Sequence, residues 1–209
     1  MSDAPPSNFT PAPLDSSKRT WLLATTAVGA AGTVVLATPF VGSFSPSEKA
    51  KAAGAAVEVD ISALQPGEKM IVEWRGQPVW VFKRTPEMLA TLKGLDPELA
   101  DPMSKRTDFP TPEWAQNEDR AREEHKDILV VVGICTHLGC SPVDKFKSGP
   151  QPSLPDNWEG GFFCPCHGST FDFSARVFKN KPAPSNLVVP PYVYLSDTRL
   201  LIGEDTKKA

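Results

Sequence analysis

Two short boxes hold six potential metal donors of this chain. They are Cys135-Thr136-His137-Leu138-Gly139-Cys140 and Cys164-Pro165-Cys166-His167-Gly168-Ser169. All four cysteines and two of the three histidines fall in them. Between the boxes runs a loop rich in proline and glycine, Ser141 to Phe163. Any fold for this chain must bring two distant loop tips to one place. The residues leave two metal readings open. One is a structural zinc bound by two cysteines and two histidines. The other is a two-iron, two-sulfide cluster with two cysteines on one iron and two histidines on the other. The C-x-H spacing of the first box is unusual for a zinc finger. Each box also offers one cysteine and one histidine, Cys135 with His137 and Cys164 with His167. That symmetry suits two irons clamped between two loops.

Cys140 and Cys166 are then left over, at equivalent late positions in the boxes. An oxidising compartment permits a disulfide between them, which would pin the loops together and contribute ~2–4 kcal/mol. Two buried reduced thiols are the alternative. Gly139 and Gly168 leave room for backbone amides to approach cluster sulfurs, and hydrogen bonds to those sulfurs raise a reduction potential. Ser169 is expected either to donate its hydroxyl to a bridging sulfide or to make an ordinary loop-capping bond. Leu138 is expected to shield the site from water.

Ahead of the boxes, no charged residue occurs from Thr20 to Ser47. Residues 21–43 are apolar or small, about the 20 residues that cross a ~30 Å hydrocarbon core. This exceeds the apolar core of a cleaved secretory signal, so the stretch is expected to be an uncleaved transmembrane anchor. Lys18 and Arg19 precede it and put the N-terminus in the cytoplasm. The rest of the chain then lies on the far side of the inner membrane. Residues 1–20 form a polar tail, proline-rich up to Pro13. It includes Ser17-Lys18-Arg19-Thr20-Trp21-Leu22, which looks like a twin-arginine export signal with lysine at the first arginine position. Residues 44–56 hold small residues without apolar periodicity and are expected to be a flexible tether.

From residue 57 the pattern is of strands. Val57 to Ile61 alternates apolar and polar residues. Met70–Trp74 and Val79–Lys83 flank Arg75-Gly76 as a hairpin. Thr85-Pro86-Glu87 starts a helix that Gly94 can end. Leu95 to Lys126 is charged and proline-punctuated, with weak helical character from Trp114 to Glu124; it is expected to be a surface insertion with a solvated His125. Ile128 to Ile134 is a buried strand leading into the first box. Later strands are expected at Leu187–Val189, Tyr192–Leu195 and Leu200–Ile202, and 204–209 is a polar tail. The chain has 22 prolines in 209 residues, about twice ordinary usage, which favours strands joined by stiff loops. Its formal net charge of -3 excludes a generally basic nucleic-acid binder.

At the boxes, CTHLGC and CPCHGS, the sequence resembles the Rieske iron–sulfur subunits of the bacterial ubiquinol–cytochrome c reductase (cytochrome bc1) complex. The likeness extends through the anchor, the tether, the WRGQPVWV hairpin and the segment from Lys181-Pro182-Ala183-Pro184 to Gly203. It implies an all-β antiparallel Rieske fold with one N-terminal transmembrane helix. The head would span 57–203, with a base domain and an inserted cluster-binding subdomain near 135–173. It implies a [2Fe–2S] cluster on Cys135, His137, Cys164 and His167, a Cys140–Cys166 disulfide, and a covering loop at Lys181–Pro184. It implies a respiratory electron carrier in which His137 or His167, with the second favoured, meets ubiquinol. Cytochrome b and cytochrome c1 would be its partners, in a dimeric complex. Many members carry tyrosine where Phe171 stands, so a lower potential is expected here. A Rieske subunit of another exported oxidase and a zinc-stapled binding module are the competing readings.

Overall fold

The computed structural model describes residues 16–47 and 54–206. They divide into two compact units, the boundary falling between Ala50 and Lys51. The first contains one helix, α1 (Ser16–Ser43), 28 residues long, with an 18-residue stretch of mean hydropathy 1.6. At 1.5 Å per residue it reaches ~42 Å, long and apolar enough to cross a membrane. Its side chains are exposed throughout, including Trp21, Leu22, Val35 and Phe40. Hydroxyls in the span bond back one turn: Thr25 to the Trp21 carbonyl, Thr26 to Leu22, Thr33 to Gly29 and Thr38 to Val34. That leaves them no need of water. The helix starts at Ser16, so Lys18 and Arg19 lie in its first turn and not in the irregular tail the prolines suggested. Residues 1–15, 207–209 and the tether positions 48–53 lie outside the described residues.

The second unit carries three antiparallel three-stranded sheets. Strands β2 (Lys69–Trp74), β3 (Gln77–Lys83) and β4 (Ile128–Val132) form one of them. β3 and β4 are almost entirely buried because both faces are covered, which is why they read as apolar runs rather than alternations. Strand β1 (Val57–Asp60) pairs with β9 (Arg199–Ile202), which pairs with β8 (Tyr192–Ser196). The third sheet, β5 (Val143–Lys145), β6 (Gly161–Cys164) and β7 (Ser169–Phe171), falls between and around the two boxes.

An aromatic cluster joins the β2–β3–β4 sheet to the third. Phe82 stacks on Phe146 at 4.8 Å, Trp80 meets Phe162 at 5.0 Å, and Phe173 lies 6.3 Å from Phe82. The Lys69 ammonium sits 4.0 Å over the Trp80 ring and pairs with Asp144 across the same seam.

Helix α2 (Pro86–Thr91) begins as expected, with Thr85 Oγ1 accepting the Met88 N–H and proline in the first turn. Three sequence expectations change. The 114–124 region forms only short 3-10 turns at Glu113–Ala115 and Glu123–His125. Leu187–Val189 is not a paired strand, although Val132 N–H donates to the Val188 carbonyl. Pro190-Pro191 follows and offers no N–H to continue a ladder. The 95–126 insertion is no loose surface excursion, because Leu99, Ser104, Ala115, Arg120 and Ala121 are buried.

The last of these has a polar cause. Arg120 donates to the carbonyls of Ser174, Ala175 and Leu187. Arg84 reaches the Asp119 carbonyl and Ser174 Oγ, and Arg176 reaches Asp96 and the Leu92 carbonyl. The guanidinium forks therefore stitch the insertion to the segment that follows the second box. His125 stacks on Tyr194 at 4.0 Å, so its ring is half-buried rather than solvated.

Candidate metal centre

Both boxes fold into the same small loop. In the first, Gly139 N–H returns to the Cys135 carbonyl at 3.1 Å, and Cys135 N–H meets the Cys140 carbonyl at 2.8 Å. In the second, the tip between β6 and β7, Gly168 N–H returns to the Cys164 carbonyl at 2.9 Å. Each turn needs a left-handed residue, and the glycines supply φ of +84° and +78°. Their own amides donate to the cysteine carbonyls, so the glycines serve the turn.

A Cys140–Cys166 disulfide ties the two tips together across 26 positions of sequence. Cys135 and Cys164 remain as free thiols, each 2% exposed, within hydrogen-bonding reach of one another. Burial pushes the Cys135 thiol up. The nearby His137 backbone N–H and Ser169 hydroxyl act against that. On the outer side the His137 and His167 rings stand at right angles, centroids 4.7 Å apart. His137 is half-buried and His167 exposed. His137 Nδ1 is buried and has no hydrogen-bond partner, the condition of a nitrogen whose partner is a metal.

The donor set fits a two-metal group better than a single ion. Among the described residues, three donor atoms converge within 4.8 Å only at Cys140, Cys164 and Cys166. Two of those sulfurs are bonded to each other and have no thiolate to give. The remaining donors form a buried cysteine pair and an outer histidine pair.

Ser169 is fully buried, and its Oγ accepts the Ala183 N–H at 3.0 Å. Thr136 Oγ1 donates to the Ser185 carbonyl at 2.6 Å. The 181–185 segment is thus hydrogen-bonded to both boxes. Leu138 is 72% exposed, an apolar side chain presented to the outside of the site. Phe171 is fully buried, paired in register with Phe162.

The sequence reading missed the hydrogen bonds of Thr136 and Ala183, and it missed Asn186 and the Gly160-Gly161 pair. A Cβ on Gly161 would lie 2.1 Å from the Phe171 carbonyl oxygen. The doubled glycine at the start of β6 was the one available signal of so close an approach.

Comparison with known proteins agrees with this geometry. Residues 118–192 match the Rieske [2Fe–2S] domain. The ubiquinol–cytochrome c reductase iron–sulfur subunit of Allochromatium vinosum is 53% identical over 192 residues, covering 92% of this chain and 90% of that one. The subunit of the same name from Rhodospirillum rubrum is 40% identical over 191 residues, covering 90% and 93%. A chain of a solved hyperthermophilic respiratory Complex III is 25% identical with a TM-score of 0.42, covering 85% of this chain and 97% of its own. The Rieske domain binds a [2Fe–2S] cluster, and that cofactor sets the zinc module aside. At this identity and coverage, the chain belongs to the family of ubiquinol–cytochrome c reductase iron–sulfur subunits.

Proposed function

We propose that this chain is the one-electron carrier of a membrane quinol:cytochrome c oxidoreductase, with Cys135 and Cys164 as the inner ligands of its [2Fe–2S] cluster and His137 and His167 as the outer ones. The observation that carries it is the separation of a buried thiol pair from an outer imidazole pair on two disulfide-locked loops. The cluster, when bound, supplies a one-electron acceptor whose potential the surrounding donors set. His137 gives its buried Nδ1 to the metal side, which leaves Nε2 facing outward. His167 is the more exposed ring, and this supports it as the one that meets quinol. Its outward nitrogen accepts the hydrogen bond of a quinol hydroxyl and takes up that proton. Leu138, exposed beside the histidines, offers the apolar surface that a hydrophobic quinol pocket would cover.

The wider arrangement follows the family. Helix α1 anchors the chain in the bacterial inner membrane, with residues 1–20 cytoplasmic and the 57–203 head periplasmic. Cytochrome b and ubiquinol lie at one docking position of the head and cytochrome c1 at the other, in a dimeric complex. The composition of residues 44–56, small and unpatterned, supports a tether on which the head moves between them, contributing to proton translocation. Replacing Ala52 and Ala53 by prolines is expected to slow turnover while the cluster signal stays; unimpaired turnover would reject head movement.

The main test is electron paramagnetic resonance of ascorbate-reduced membranes with and without a quinol-site inhibitor. A rhombic mixed-ligand signal that shifts with inhibitor is expected. A signal indifferent to inhibitor would overturn the quinol assignment and favour another exported oxidase.

A further inference from the structure

The 95–126 insertion has no role in the ligand set, yet it grips the segment that covers the cluster loops. Arg106 Nη1 donates to the Pro184 carbonyl, and its Nη2 to the Ala100 carbonyl at 3.1 Å. The grip has a second, buried point. Asn186 is 4% exposed and uses both ends of its amide. Its Oδ1 accepts the Val177 N–H at 2.8 Å. Its Nδ2 donates to the Asp101 carbonyl at 2.8 Å and to Ser104 Oγ at 2.9 Å. The turn that receives it is itself fixed, because the Asp101 carboxylate accepts the backbone N–H groups of Lys105 and Arg106.

Immediately before these two points lies Ala183. Its N–H donates to Ser169 Oγ, which removes one lone-pair direction from a hydroxyl that has a single proton. The proton is then directed elsewhere, and the Cys135 sulfur lies within its reach. A hydroxyl aimed at a ligand sulfur favours the more negative, reduced state of a cluster and raises its potential. A hydroxyl free to rotate does so less, because part of its population points away. The covering segment therefore acts on the redox centre through one rotor, and the insertion decides how firmly that segment is held.

We propose that the insertion is a clamp, and that Arg106 and Asn186 are positioning residues that hold the 181–186 segment so that Ala183 N–H orients the Ser169 hydroxyl toward the cluster sulfur. This rests on the ligand reading given above.

The test is the midpoint potential and resonance spectrum of the cluster in membranes carrying the whole complex. Arg106→Ala, at an exposed position, is expected to lower the potential while leaving cluster content unchanged, and Arg106→Lys to restore part of it. Asn186→Ala is expected to lower it further. Ser169→Ala should lower it most, and in that background Arg106→Ala should have no additional effect. The clamp is overturned if Arg106→Ala and Asn186→Ala leave the potential at its parent value. It is equally overturned if Arg106→Ala shifts the potential by the same amount with Ser169 already replaced. An unchanged potential in Ser169→Ala overturns the role of Ser169, and with it the clamp, while the ligand set stands. A parent protein lacking the mixed-ligand signal would instead overturn the ligand reading.

Discussion

Arg176 Nε donates to Asp172 Oδ2 at 2.7 Å, with the two side chains 0% and 1% exposed. Asp172 also accepts the backbone N–H groups of Ser174 and Arg176, so one carboxylate organises the turn after the second box. It is the only fully buried acid among the described residues, against three buried arginines. Burial lowers Arg84 and Arg120 to about 10, which still leaves both charged at neutral pH. Removing Asp172 takes away the buried partner of Arg176 and leaves it only the half-exposed Asp96 carboxylate at 3.0 Å. Asp172→Asn is therefore expected to cost about 3–5 kcal/mol. Denaturant unfolding of the head measures this, and a cost under 1 kcal/mol would contradict it.

Gly133 lies against Trp80. A Cβ there would fall 2.1 Å from the indole Nε1, in a ring that is 1% exposed. Gly133 has no left-handed φ, so the requirement is for space alone. Gly133→Ala is expected to destabilise the head by about 1–3 kcal/mol. Because the cause is steric, Trp80→Phe in the same chain should recover part of the loss. Failure of that rescue in thermal unfolding would point to a backbone cause instead.

The two tyrosines of the chain give a clean alkaline titration. Burial pushes Tyr192 up to about 12 and moves Tyr194 further in the same direction. An unfolded tyrosine titrates near 10.0. The folded state thus holds protons that the unfolded state has already lost. Their contribution to stability is full below pH 10 and is lost as pH rises through about 12. The tyrosinate band of the native protein is expected to stay absent near pH 11 and to appear there at once in denaturant. A native band with an ordinary midpoint would refute the burial.

Phe171→Tyr tests the departure from the family pattern. The ring is fully buried in the strand that starts at Ser169. A hydroxyl that reaches a ligand sulfur is expected to raise the midpoint potential. A potential that is unchanged or lower would mean that Phe171 is simply part of the core.

The sequence made the chemistry more legible than the packing. Cysteine and histidine are rare and their spacing is local, so the boxes and the left-over cysteine pair could be read directly. The Thr85 cap, the β2–β3 hairpin and β4 were legible for the same reason, since each is settled within about ten residues. The insertion was not. Its burial depends on Arg120 meeting carbonyls at 174, 175 and 187, partners more than 50 positions away. A charged, proline-broken stretch reads as surface until those acceptors are known. Thr136, Ala183 and Asn186 escaped for a related reason. Their roles reside in single hydrogen bonds to distant backbone, which leave no periodic mark.

The pairing of β1 with β9 sets Val57 opposite Ile202, near the two ends of the head. The edge strand of this sheet is the first strand of the head and its centre strand is the last one described, so the sheet closes only when both are present. Contacts of such long sequence separation slow folding. The head therefore completes this sheet only once Arg199–Ile202 is available, and a chain cut short before Arg199 would leave β1 without its partner strand.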